Sequence, residues 1–189
     1  MKSQHTHPIQ TEIALGLVFL LLTVVGMTGW WTKQATQQPI GSRQELVQLQ
    51  PQTYWLLTEN EQTRLVPLHF AVNSGSKQEA LKAALNNLLN NPQTHKLSTT
   101  IPAGTKLLDL RVTNEGIYVN LSDEFSLGAG TTSMIYRLAQ VLYTATSLDP
   151  EAKVYISIAG QLIDENYPLA GVGLVLTEPM TREQFLEYL

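Results

Sequence analysis

Leu107-Leu-Asp-Leu-Arg-Val-Thr-Asn-Glu-Gly-Ile-Tyr-Val-Asn-Leu121 alternates apolar and polar side chains on both sides of a turn. Leu108, Leu110 and Val112 alternate with Asp109 and Arg111, and Ile117, Val119 and Leu121 continue the apolar set. A period of two, broken by a glycine-containing turn, predicts an antiparallel hairpin with one face packed. Asn114-Glu115-Gly116 turns the chain, with Gly116 free to take positive φ. Tyr118 and Asn120 fall on the opposite, outward parity.

Working upstream, Leu81, Ala84, Leu85 and Leu88 form an apolar stripe at helical spacing. Ser76-Lys-Gln-Glu79 reads as a capping box at its start, and Asn90-Asn91-Pro92 ends it. Tyr54–Leu57 and Arg64–Val72 predict an earlier hairpin turned at Asn60-Glu61-Gln62, with Leu68, Phe70 and Val72 inward and His69 outward. Pro67 cannot donate to a ladder, which places it at an edge or a bulge.

Downstream, Thr131-Thr132-Ser133 is expected to cap a second helix whose stripe is Met134, Leu138, Val141, Leu142 and Ala145. Val154, Ile156 and Ile158 predict a strand that turns at Ala159-Gly160, with Tyr155 and Ser157 outward. Gly171–Leu176 predicts a last strand, and Thr181-Arg-Glu-Gln184 a capping box on a short helix. The expected class is α/β: an α+β sandwich of one mixed sheet with two main helices on one face, preceded by one N-terminal transmembrane helix.

That anchor is Ile13–Trp31, 19 residues without a charge. As a helix it spans about 28 Å, near the thickness of a hydrocarbon core. Trp30 and Trp31 end it where indoles favour the interface, and no small-residue cleavage pattern follows. The expected organisation is a tail over 1–12, the anchor over 13–31, a polar linker over 32–53 and a folded domain over 54–189. Arg43–Leu49 in the linker has room for one or two helical turns. The Lys/Arg balance around the anchor barely sets its orientation. A short leader before a long domain favours the cytoplasmic membrane with the domain on its outer side.

Net charge is −4, 15% of residues are charged, and no basic cluster marks a nucleic-acid surface. There is no cysteine, so disulfides, thiolate metal sites and a cysteine nucleophile are excluded. The four histidines, His5, His7, His69 and His95, include no metal-binding pair within the fold, and no metal or cofactor is expected. Asp123 and Glu124 are adjacent, whereas glycosidase carboxyls face one bond from two sides. Ser122 lacks a nucleophile elbow, and His69 is its only nominated base. Gly128-Ala129-Gly130 lacks phosphate-loop spacing and reads as a connector. No catalytic residues are therefore expected. Tyr118, Asn120, Tyr155 and Ser157 share an outward parity and form the candidate interaction face, open to a partner or a glycan.

Several stretches resemble the sporulation and spore germination (GerMN) domain family. They are Ile101-Pro-Ala-Gly-Thr-Lys-Leu-Leu, Gly116-Ile-Tyr-Val-Asn-Leu-Ser-Asp-Glu-Phe and Arg137-Leu-Ala-Gln-Val-Leu-Tyr-Thr, with Ile158-Ala-Gly, Leu169-Ala-Gly and Pro179-Met-Thr-Arg. The resemblance runs from about residue 65 to 185. Asn120 stands where the family carries Asp, which puts a role for that carboxylate in doubt. The resemblance implies a single-copy extracytoplasmic domain, similar to ring-building modules of sporulation and secretion complexes, with no established enzyme activity. Expected partners are the membrane through Ile13–Trp31, copies of the chain or envelope proteins. Peptidoglycan is the alternative, through an accessory domain or wall-enzyme subunit, and no nucleic acid is expected. If Ile13–Trp31 is an uncleaved anchor, intact-mass measurement of membrane-extracted protein gives the whole chain; a mature chain beginning near Gly29 or Thr32 contradicts it.

Overall fold

A computed structural model describes residues 47–69, 71–90, 96–128, 130–169, 175–176 and 179–186. The elements are β1 Val47–Leu49, β2 Gln52–Glu59, β3 Gln62–His69, β4 Val72–Ser74, α1 Lys77–Leu89, β5 Leu97–Ser98, β6 Leu107–Val112, β7 Ile117–Leu121, a 3₁₀ turn Asp123–Ser126, α2 Thr131–Ala145, β8 Val154–Ile158, β9 Gln161–Leu162 and α3 Arg182–Phe185. The anchor segment lies outside the described residues, among which no helix is long and apolar enough to cross a membrane. Most of the expected strand Gly171–Leu176 is also outside them.

The chain is mixed α/β with two main helices, as the patterns predict, but the strands do not form one sheet. Among the described residues they form β1-β4, β3-β2-β5 and β6-β7-β8-β9. The largest sheet is mixed, because β7 and β8 run parallel while its other pairs are antiparallel. β2 does not join it for a physical reason. The Tyr54 amide donates to Thr144 Oγ1 at 3.0 Å, and Gln140 Nε2 donates to the Tyr54 carbonyl at 3.2 Å. Side chains of α2 thus occupy bonds that another strand would need.

The folded chain also begins before Tyr54. Val47–Leu49, expected in the linker with at most helical turns, pairs with β4, and β2 starts at Gln52. These residues belong to the folded unit, because the ribbon along β4 gives them a partner. In the β2–β3 hairpin, Asn60 and Glu61 have φ of 50° and 66°, a turn whose twist matches the flanking strands. Pro67 sits on edge strand β3, where its missing N–H costs least. Leu68, expected inward, is 43% exposed; Leu65 and Val66 pack on the core instead.

The decisive hairpin forms, with one correction. The register passes from Leu107↔Leu121 to Asp109↔Asn120, so Leu108 is a bulged extra residue and is 51% exposed. Leu110, Ile117, Val119 and Leu121 are buried as expected. Gly116 serves close approach: an added Cβ would meet the Lys153 carbonyl oxygen at 2.6 Å. That carbonyl accepts the Ile117 amide at 2.8 Å where the parallel β7–β8 pair begins.

At α1, Ser76 accepts the Glu79 amide, while the Glu79 carboxylate takes the Gly75 amide and Ser74 hydroxyl. The box is therefore displaced by a residue on its return side. Helix α2 begins with Gly130 as its cap, and the hydroxyls of Thr131, Thr132 and Ser133 do not close it. The Thr181–Gln184 capping box on α3 forms in both directions.

One core joins the layers: Leu81, Leu85 and Leu88 of α1, Met134, Leu138 and Leu142 of α2, Trp55, and the inner residues of β6–β8. Beside its apolar stripe, α2 buries Arg137, Gln140 and Thr144. Arg137 Nε donates to the Thr100 carbonyl at 2.9 Å, and Nη1 donates to the carbonyls of Phe125 and Leu127. Desolvation pulls its guanidinium below the ordinary arginine pKa. Gln140 Oε1 accepts from Thr99 Oγ1 and the Thr100 amide. Leu121→Ala and Leu138→Ala, both at fully buried positions, are each expected to lower stability by about 2–5 kcal/mol in urea melts. A loss under about 0.5 kcal/mol would contradict the packing.

Candidate functional site

The outward face of the β6–β9 sheet follows from register. Arg111 pairs with Tyr118, and Tyr118 with Tyr155; one row along, Asp109 pairs with Asn120, Asn120 with Ser157, and Ser157 with Leu162. Paired residues point to the same side of a sheet. Two cross-strand rows therefore lie on the face opposite Ile117, Val119, Val154 and Ile156, which are buried.

The first row is a stack. The Tyr118 and Tyr155 rings lie 4.5 Å apart at 6°. The Arg111 guanidinium sits 5.0 Å from the Tyr118 centroid, within cation–π range. Asp109 Oδ2 lies 3.5 Å from Arg111 Nε. Tyr118 also donates its hydroxyl to Glu115 at 3.1 Å. Desolvation, then this hydrogen bond, raises the Tyr118 pKa above its ordinary value. Tyr118 and Tyr155 are half-buried, and each is fixed by its neighbours.

The second row is a brace. Asn120 Oδ1 accepts from Ser157 Oγ at 3.1 Å and from the Gly160 amide at 2.9 Å. Gly160 and Ala159 make the β8–β9 turn, with φ of 83° and 48°. A non-glycine residue in the left-handed region carries strain of about 1–2 kcal/mol, so a hydrogen bond across the turn offsets part of it. Only an acceptor is needed here, and the amide oxygen of Asn120 provides one without a carboxylate's charge. Leu162, at 58% exposure, extends this row.

The four outward residues predicted from parity are thus brought together. The sequence pattern missed Arg111 as part of the stack, although its alternation with Leu110 and Val112 places it on the same face. The other nominated groups do different things. Ser122 Oγ accepts the Lys106 amide at 2.9 Å, and the Ser122 hydroxyl holds Glu124 below its ordinary pKa. His69 is exposed at the end of β3, in another sheet, and no hydrogen bond joins it to Ser122 among the described residues. Asp123 is exposed on the 3₁₀ turn, and Glu124 follows it half-buried. Among the described residues no cluster of His, Asp or Glu is arranged to hold a metal ion. Ala129 and His95 lie outside them.

The fold and its open face define a small α/β module with helices on one side of a mixed sheet and an aromatic row on the other. The sequence model of the family described as sporulation and spore germination (Germane) matches residues 52–164. That is more than half of the chain, and the chain belongs to this family. No curated protein is similar enough to count as a match. Among solved structures, the tandem GerMN domains of the sporulation protein GerM from Bacillus subtilis are similar at 20% identity and a TM-score of 0.52, over 77% of this chain and 49% of that one. The chain therefore spans about half of that tandem structure. The first GerMN domain of the same protein aligns at 18% identity and a TM-score of 0.53, over 71% of this chain and 98% of that one. A crystal structure described as a "putative lipoprotein from Clostridium perfringens" aligns at 21% identity and a TM-score of 0.51, over 74% of this chain and 91% of that one. At these identities the likeness concerns the fold.

Proposed function

We propose that this chain is a non-enzymatic binding and assembly module of the bacterial cell envelope, held by a single membrane-spanning helix over Ile13–Trp31. The folded unit then stands on the outer side of the cytoplasmic membrane. It engages copies of itself or envelope proteins through the face of Tyr118, Asn120, Tyr155 and Ser157.

The observation that carries this reading is the ordered stack of Arg111, Tyr118 and Tyr155 on an open sheet face. Rigid aromatic side chains contribute contact area while losing little conformational freedom on binding, and Tyr and Arg are enriched at interface hot spots. The long uncharged segment supports the anchor. Confinement to a membrane raises the effective concentration of weakly binding modules. GerM of Bacillus subtilis is a sporulation protein, and a role in sporulation or germination extends to this chain by family membership. Ser122 is bonded to the Lys106 amide and to Glu124, and His69 lies on another sheet, so these two do not form a nucleophile–base pair, which favours binding over turnover.

The double variant Tyr118→Ser/Tyr155→Ser tests the face. It is expected to keep its helical circular dichroism and to lose most of the crosslinked species that the full chain gives in cells. Undiminished crosslinking in a folded variant would remove this face from the interface. Hydrolysis of wall fragments by the wild type, lost on Asp123→Asn or Glu124→Gln, would overturn the non-enzymatic reading.

A further inference from the structure

At one end of the aromatic row the sheet face runs into a groove of about 580 Å³. The β6–β7 turn and the loop from α2 to β8 form its walls, with Tyr155, Glu115, Glu151, Lys153, Lys77 and Asp149 among the lining residues. This volume suits a small ligand. Lys77 and Asp149 are paired at 3.0 Å, and Glu115 Oε2 already accepts from the Tyr118 hydroxyl, leaving Glu151, Lys153 and the second carboxylate oxygen of Glu115 to meet a ligand. The remaining charge is small and mixed. It offers no cationic field for a polyanion, and the charged walls would leave groups unpaired against an apolar ligand.

Tyr155 gives the groove its direction. One ring face is covered by Tyr118; the other has no ring or cation against it among the described residues. The ring edge lies over Gly116, where a Cβ would sit 3.0 Å from Tyr155 Cε2. The absent side chain is what lets the ring settle there. The platform is thus prepared before any ligand arrives, which lowers the cost of binding.

We infer that this groove binds a saccharide, with one pyranose face stacked on the face of Tyr155 turned away from Tyr118. Its hydroxyl or acetamido groups bond to Glu115, Glu151 and Lys153. A sugar ring presents axial C–H groups that suit the negative face of an aromatic ring. Its rim carries donors and acceptors together, matching carboxylates and an ammonium group side by side. The inference rests on the envelope-binding reading above and names a ligand class for that module.

The test titrates the full-length chain in detergent micelles with the uncharged tetramer of N-acetylglucosamine, followed by calorimetry. Saturable binding is expected, weakened at least tenfold by Tyr155→Ala and at least threefold by Glu151→Gln/Lys153→Gln. The second variant alters only exposed groups and is expected to fold as the wild type does, checked by thermal melting. No saturable binding by the wild type, or binding unchanged in the folded Glu151→Gln/Lys153→Gln variant, would overturn the proposal. If that variant instead loses protein crosslinks while the wild type ignores the sugar, the groove belongs to a protein contact and the saccharide is excluded. Crosslinking that depends on Tyr118 survives a failure here, so the two claims can fail separately.

Discussion

Buried amides and carbonyls without a strand neighbour must still be bonded, and in this fold one stripe of α2 bonds them. Arg137, Gln140 and Thr144 recur at spacings of three and four, so they share a helix face. Between them they reach the carbonyls of Thr100, Phe125 and Leu127, the Thr100 amide, and both backbone groups of Tyr54. These targets lie on β2, on the segment before β6, and within and just after the 3₁₀ turn. An unbonded buried carbonyl costs about 1–3 kcal/mol, and bonds to a charged donor are stronger than neutral ones. The stripe therefore ties together three parts of the chain that share no continuous ladder. Arg137 has no carboxylate partner among the described residues; carbonyl oxygens and the Phe125 ring surround its guanidinium.

This arrangement separates structural polarity from the exposed polarity available for binding. Arg137, Gln140 and Thr144 of α2 face inward, and the last two hold β2 against the helices. The polar and aromatic groups of β6–β8 face outward, clear of the core. A second clamp works the same way at the C-terminal end. Arg182 donates to Thr146 Oγ1 and the Tyr143 carbonyl and lies over the rings of Tyr54 and Tyr143. Both arginines act as struts, whereas Arg111 lies exposed on the tyrosine row.

Strong periodicity made much of this legible. The stripe of α1 and the β7 alternation were plain because each has a single buried face; the apolar stripe of α2 was plain by its spacing, although the helix also buries Arg137, Gln140 and Thr144. Leu108 was misplaced because a bulge leaves no mark in a period-two pattern; only the pairing register shows it. Leu68 was misplaced for a related reason: an edge strand next to a proline does not need its full apolar set inside. The single expected sheet failed because Gln140 and Thr144 look like solvent-facing residues in sequence. Their burial depends on which carbonyl or amide comes within reach, and that is a tertiary fact. The same holds for Arg137. Tyr118, Asn120, Tyr155 and Ser157 were legible as a face by parity alone. The Arg111 cation–π contact and the brace on Gly160 needed the cross-strand register of three strands.

The account depends most on α2 acting as a partner for backbone groups that no strand satisfies. Amide hydrogen exchange at Tyr54 and Thr100 measures this directly, because their N–H groups bond to Thr144 Oγ1 and Gln140 Oε1. Both amides are expected to exchange as slowly as the core of α2, through global unfolding, and Gln140→Leu is expected to release Thr100. Exchange of the wild-type Tyr54 and Thr100 amides at the rate of exposed loops would contradict the account.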